Sequence, residues 1–115
     1  MPQRANFASY AVRAMLYLTQ FVYVHPGKEA QFEEFESIAC AALHKYRGQL
    51  LLRLRPDARS VVSAEAEVPY ELHVLCFASR DDFARYAADP ERQQILHLKA
   101  EAVRASLLIE GTRVA

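Results

Sequence analysis

Three ionisable side chains stand where a core strand would carry apolar ones. Arg53 lies between Leu52 and Leu54, and Glu71 and His73 alternate with Leu72 and Val74. A charge inside an apolar strand must find a partner or water, because an isolated buried ion is very costly. Arg53 therefore has two readings. It binds the carboxylate or enolate of a small ligand as a fixed fork of donors, or it forms a salt bridge to Glu71 or to a dimer mate. The ion pair is the commoner outcome around such residues. His73 has the intrinsic pKa of a general base near neutrality, with Glu71 two residues away on the same strand face to orient it. Its bland reading is a histidine at a strand edge or a subunit seam.

A second constellation is helical. Glu36, Cys40 and His44 recur at i, i+4 and i+8 and so share one helix face. Cys and His at that spacing could bind zinc or form a nucleophile pair. No further ligand is evident, and the stripe lies opposite Phe35, Ala39 and Ala42, hence toward solvent. No metal site is expected, and no cofactor. The chain has no glycine-rich dinucleotide or phosphate loop and no nucleophile elbow.

The elements that must position these groups follow from periodicity. Residues 16–24, LYLTQFVYV, are β-branched and aromatic throughout, a long strand signal. Both of its faces are largely apolar. Tyr17, Thr19, Phe21 and Tyr23 share one; Leu16, Leu18, Gln20, Val22 and Val24 share the other. One layer of helices covers only one face of a sheet, so the second must meet something else. His25-Pro26-Gly27 ends the strand. A helix then runs to about Tyr46 on the stripe Phe32, Phe35, Ala39, Ala42, with Gly48 placed to terminate it.

Residues 49–55 and 70–77 read as the second and third strands, and Val61-Val62 as a short extra strand in the long connection between them. Ser79 with Asp82 reads as a helix cap. Asp89-Pro90 restarts a helix whose buried face is Ile95, Leu98 and Ala102. Residues 106–110 form the last strand. The order is βαββαβ, an α+β domain. Residues 1–15 carry Arg4 and Arg13, no acid and no periodicity. Either this arm packs on the domain or a partner, or Met15 is the true start; residues 16–115 form the single domain.

At this point the chain resembles the dimeric α/β-barrel superfamily. Val24-His25-Pro26-Gly27-Lys28-Glu29-Ala30-Gln31-Phe32 is similar to the "V-x-P-G-K-E-x-x-F" of antibiotic-biosynthesis-monooxygenase-like domains. Tyr46-Arg47-Gly48-Gln49-Leu50-Leu51-Leu52-Arg53 resembles the "Y-G-G-x-h-L-h-R" of small bacterial domains of unknown function. The stretches 77–83 and 86–91 resemble "F-x-S-x-x-x-h" and "Y-x-S/D-P-E-Y" of the same groups. The resemblance implies a ferredoxin-like fold with an antiparallel sheet, in which two protomers pack sheet against sheet as a homodimer. It also implies a family of cofactor-independent monooxygenases, heme-degrading enzymes, isomerases and uncharacterised proteins, among which fold does not choose.

On that frame Leu50, Leu52, Leu54, Val22 and Val24 are assigned to the helix side. Tyr17, Phe21, Tyr23, Arg53, Glu71 and His73 then face the partner. They would line a cavity between sheet and partner, with the three aromatics as a wall for a flat ligand or as plain interface packing. The expected function is binding of a small hydrophobic or aromatic metabolite there, with monooxygenase or isomerase chemistry resting on His73 and Arg53. The alternatives are a non-catalytic ligand-binding or structural dimer, and a heme-handling protein with His73 as axial ligand.

The totals agree with a small globular domain. The chain has 115 residues, 52% hydrophobic and 24% charged, with 14 basic and 14 acidic residues and zero formal net charge. Neutrality argues against nucleic acid or an anionic membrane surface as partner. The third strand also lacks the basic and aromatic signature of an RNA-recognition module. No apolar run is long enough to span a bilayer. Two cysteines, Cys40 and Cys76, suit the reducing cytoplasm.

Overall fold

The structure, a computed structural model, describes residues 15–114. The arm expected over residues 1–15 lies outside the described residues except for Met15, which is buried. Four strands form one antiparallel sheet: β1 (Leu16–Val24), β2 (Gly48–Leu54), β3 (Glu71–Phe77) and β4 (Val103–Gly111), in the order β2-β3-β1-β4. Helix α1 (Glu29–Ala42) runs into a 3-10 turn (Leu43–Tyr46). Three short helices follow β3, namely α2 (Arg80–Ala87), α3 (Pro90–Gln94) and α4 (Leu96–Ala102).

Local chemistry explains most boundaries. Gly27 takes a positive φ of 87° in the turn after β1, which glycine adopts without strain. The Ser79 hydroxyl oxygen accepts the Asp82 N–H at 3.1 Å, and the hydroxyl donates to the Asp82 carboxylate at 2.9 Å. This closes a cap at the start of α2. Asp89 caps α3 by accepting the Arg92 N–H at 3.0 Å, with Pro90 at the first helical position. Gly48 does not end the first helical segment through its own φ. Arg47 takes the left-handed conformation instead (φ 55°). Gly48 opens β2 so close to its neighbours that a Cβ there would sit 2.6 Å from Phe77 Cε1 and 3.1 Å from the Leu43 carbonyl oxygen. The extra strand expected at Val61-Val62 is not formed, and β4 begins at Val103, directly from α4, three residues earlier than expected.

The register assigns the faces. Leu16, Leu18, Gln20 and Val22 stand opposite Phe77, Leu75, His73 and Glu71, so these eight share the face under the helices. Two apolar clusters fill that side. One joins Leu16, Leu18, Ala42, Leu43, Phe77 and Tyr86; the other joins Val22, Phe32 and Ala102. Between them, at mid-sheet, lies a band of polar residues. In β2 the pairing slips: Leu50 opposes Leu75, but Leu52 opposes Val74 and Arg53 opposes His73. The extra residue is a β-bulge, and it reverses which residues of the strand face the helices. This corrects the expected faces. Leu52 and Leu54 point away from the helices, and Arg53, Glu71 and His73 lie beneath them, not beside Tyr17, Phe21 and Tyr23.

The other face of the sheet carries Tyr17, Thr19, Phe21 and Tyr23 from β1, Leu72, Val74 and Cys76 from β3, Leu52 and Leu54 from β2, and Leu107 and Ile109 from β4. Among the described residues no helix covers it. Leu52, Leu54, Leu107 and Ile109 are each about half exposed, at 47–49%.

Candidate functional site

The polar band is organised around Glu71, whose side chain is 1% exposed. Arg53 Nε donates to Glu71 Oε2 at 2.7 Å, and Arg55 Nη2 donates to Glu71 Oε1 at 2.7 Å. Both guanidiniums also reach Glu33 on α1, Arg53 at 3.0 Å. His73 Nε2 contacts Glu71 Oε2 directly. Burial works against charge on Glu71, but the hydrogen bonds from His73, Arg53 and Arg55 outweigh it and hold the carboxyl down to about 2. Glu71 is thus a fixed anion, and Arg53 is the partner of a structural ion pair.

Glu36 enters this band from above. Its carboxylate lies 3.9 Å from His73 Nε2 and accepts a 3.5 Å hydrogen bond from the Cys40 thiol. Burial pushes its pKa up, against the lowering influence of His73. Glu36 was expected on a solvent stripe with Cys40 and His44. In the structure Glu36 is buried, Cys40 half-buried and only His44 exposed. The signal was present: Glu36 falls four residues after Phe32 and three before Ala39, inside the apolar stripe. The Cys40 thiol is pushed up to about 12 by burial and by Glu36, which removes it as a nucleophile near neutrality. Cys76 is fully buried and raised to about 11 by burial, a small hydrophobe as expected.

Glu36 and His73 open onto a cavity of about 120 Å³ between the sheet and the helices. Its walls include Leu18, Val22, Phe32, Phe35, Leu43, Leu50, Leu75, Phe83 and Tyr86, and its polar groups are Gln20, Glu36, Cys40, His73, Arg92 and Lys99. Phe32 stacks parallel to His73 at 6.5 Å between ring centres and holds the imidazole plane. The Tyr86 hydroxyl donates to the Ala39 carbonyl at 3.1 Å, tying α2 to α1 above the cavity. The space is small beside the ~300–1,000 Å³ of sites for drug-sized ligands, and suits a compact molecule.

Of the six residues expected to form the site, only His73 lines this cavity. Glu71 and Arg53 stand behind it. Tyr17, Phe21 and Tyr23 lie on the opposite face of the sheet, where the Tyr23 hydroxyl donates to the Glu67 carbonyl at 3.3 Å and Arg104 stacks over the Tyr23 ring. Sequence reasoning placed Glu36 on a solvent stripe and missed Gln20, Arg92 and Lys99.

Glu36, Glu71 and His73 each offer one ligand atom, all within 4.8 Å of one another, the spacing of a possible metal site. The donor set argues otherwise. Both oxygens of Glu71 already accept from guanidiniums, and a cation there would have to displace Arg53 and Arg55. Among the described residues, no helix is long and apolar enough to cross a membrane.

No protein-family profile matches the chain, and no curated protein matches it by sequence. Solved structures do match. A protein of unknown function from Rhodopseudomonas palustris superposes with a TM-score of 0.76 at 12% identity, over 99% of this chain and 93% of that one. A putative antibiotic biosynthesis monooxygenase from Bacteroides thetaiotaomicron gives 0.70 at 9% identity, over 90% and 93%. A dimeric protein of unknown function and ferredoxin-like fold from Bacteroides fragilis gives 0.62 at 15% identity, over 86% and 96%. At these identities the likeness carries the fold alone, and the fold agrees with the element order and register: this chain has the ferredoxin-like α+β fold of the superfamily that its motifs resemble.

Proposed function

We propose that the protein binds a small aromatic or otherwise apolar metabolite in the cavity beneath α1 and α2 and transfers a proton to or from it, as an isomerase or a cofactor-independent monooxygenase does. The observation that carries this reading is the burial of Glu36 and His73 side by side at the wall of a cavity lined mainly by aliphatic and aromatic side chains. Proton transfer needs groups whose affinities are tuned by their surroundings and which sit within reach of the ligand. Glu71 orients the His73 ring. If His73 Nε2–H is donated to its fixed carboxylate, Nδ1 is left as the basic nitrogen. Arg53 acts through Glu71 as a positioning residue.

Loss of a proton from an acidic C–H leaves an electron-rich carbanion or enolate. Returned at another carbon, the proton completes an isomerisation; attack of the carbanion on dioxygen begins an oxygenation. The monooxygenase-like neighbour has this fold and supports the second branch only by analogy. The alternative is a binding protein that uses the same cavity without turnover.

The dimer belongs to the same proposal. Four half-exposed aliphatic side chains on one flat sheet face form a patch of the kind that marks an interface. A similar ferredoxin-like protein is described as dimeric. Tyr17, Phe21 and Tyr23 then pack against the twin subunit rather than against a ligand.

The shared first step can be read without knowing the substrate. In deuterium oxide, small enolisable aromatic ketones should exchange their acidic hydrogens faster with the protein present, as seen by mass spectrometry. His73→Ala and Glu36→Gln should remove that acceleration while leaving the protein folded. Equal exchange by all three chains would refute the assignment. Ligand binding without any exchange would favour the non-catalytic reading.

A further inference from the structure

The cavity has a second polar end, made by Arg92 of α3 and Lys99 of α4, which the proton-transfer reading does not use. Both line the cavity. Both lie over the same ring, the Arg92 guanidinium 5.7 Å and the Lys99 ammonium 5.9 Å from the centre of Phe35. Arg92 also stacks on Tyr86 at 5.2 Å.

What sets the two apart is the lack of an anion. Elsewhere even exposed guanidiniums are matched: half-buried Arg53 and exposed Arg55 by Glu71 and Glu33, and exposed Arg47 and Arg85 by Asp82. Among the described residues neither Arg92 nor Lys99 makes a salt bridge. Arg92 donates from Nη1 to the Ala87 carbonyl at 3.3 Å, but its buried Nε–H has no partner. A buried donor left unpaired is unfavourable. Burial and the nearby Arg92 charge also lower the pKa of Lys99. Glu36, the acid on the same cavity wall, lies beyond ion-pair distance and is biased toward its neutral form by burial. Two cations on one aromatic ring, with no carboxylate of the described residues in ion-pair reach at their end of the cavity, describe half of a site.

We infer that the cavity takes a small aromatic anion, a carboxylate or enolate, with its charged group held by Arg92 and Lys99 and its flat body among Phe35, Tyr86 and the aliphatic wall. This deepens the reading of the cavity as a ligand site and rests on it. The arrangement would put the anionic group at the helix end of the cavity and leave the apolar body toward Glu36 and His73. It also transfers to α3 and α4 the anion-binding role that the sequence suggested for Arg53, which Glu71 and Glu33 already satisfy.

Benzoate and its neutral isostere benzamide separate the possibilities on the unmodified chain. Titration of each, followed by amide chemical shifts, should place both in the cavity, with benzoate bound about tenfold more tightly, as expected for a charge-assisted contact. Lys99→Gln and Arg92→Gln should each weaken benzoate by about the same factor and leave benzamide unchanged. Should Arg92→Gln fail to fold, Lys99→Gln and the ratio of the two ligands still decide. Equal affinities for the two ligands in the cavity would overturn the anion assignment and leave the cavity reading standing. Shifts confined to Arg53 and Arg55 would overturn it as well. No shift in the cavity from either ligand would remove the cavity reading itself, and this inference with it.

Discussion

The two faces of the sheet solve opposite problems with the same four strands. Under the helices, the middle of the sheet carries charge: Glu71, Arg53 and His73 on the strands, with Glu33 and Glu36 reaching down from α1. On the far side β1, β2, β3 and β4 contribute Phe21, Leu54, Leu72 and Leu107, and the non-aromatic polar side chains facing that way, Thr19 and Gln49, carry no charge. Intuition would put the charges outside and the leucines under the helices. On the proposed function, the reverse arrangement separates two tasks. A partner needs a wide apolar surface without direction, whereas a small ligand needs a few fixed groups in a closed space. The polar band interrupts the core between its two apolar clusters, and the cavity lies where that core is interrupted.

The helix-side network breaks most sharply at Glu71. Glu71→Gln leaves Arg53 and Arg55 facing a neutral group and removes the acceptor of His73. Loss of one partner from a fully buried pair costs about 3–5 kcal/mol. The guanidiniums here are 30% and 46% exposed and can rehydrate in part, so a loss of about 2–4 kcal/mol is expected. Urea unfolding at pH 7 measures it. The native carboxyl is held down to about 2, below its ordinary value of 4.5. Its contribution is therefore whole above the ordinary value and lost as pH falls from there toward 2, so the penalty of the substitution should shrink steadily over that interval. An unchanged urea midpoint would mean that the network stabilises nothing.

The open face breaks differently. Phe21→Glu puts a carboxylate at the centre of the apolar sheet, twice in a symmetric dimer. The dissociation constant should rise by roughly 100-fold, since each charge must be desolvated without a partner, and the monomer should keep its fold. Sedimentation across a dilution series reads the change. If the unmodified chain is monomeric at micromolar concentration, or if Phe21→Glu sediments like it, the open face is not a subunit interface.

This contrast also shows what the residues alone could tell. β1 was legible throughout because eight of its nine residues are β-branched, aromatic or aliphatic, with Gln20 the one exception. Its double-sided greasiness correctly announced an uncovered face. The pairing of Arg53 with Glu71 was legible too, since a strand arginine has few ways to be satisfied. Which side of the sheet held that pair was not. For Glu71 it turned on the register that sets it opposite Val22, and for Arg53 on one extra residue at Leu51, in a run of three leucines that fits either face equally well. Gly48 misled for a related reason. Glycine ends helices through a positive φ, but here it is present because Phe77 leaves no room for a Cβ. Arg92 and Lys99 gave no sequence signal, because only the folded chain brings two short helices over one phenylalanine ring.

The smallest effect separates two acids on one side of the sheet. Glu36 and Glu71 both contact His73, yet their titration acts on folding with opposite sign. Glu36 has its pKa raised by burial, so the folded chain holds that proton more tightly than the unfolded chain does. Its contribution is most favourable below the ordinary value of 4.5 and is lost as pH climbs from there through the raised folded value. Glu71 has gained its full contribution by the ordinary value, where Glu36 begins to lose. Glu36→Gln removes the second trend alone, and the amide carbonyl can still accept from Cys40. Relative to the parent, the variant should gain stability between pH 4 and pH 8, with the difference smallest at the acid end. Urea midpoints across that range give the curve. A difference that stays constant would mean that Glu36 ionises in the folded chain as it does in the unfolded one, and the proton poised beside His73 would have no physical basis.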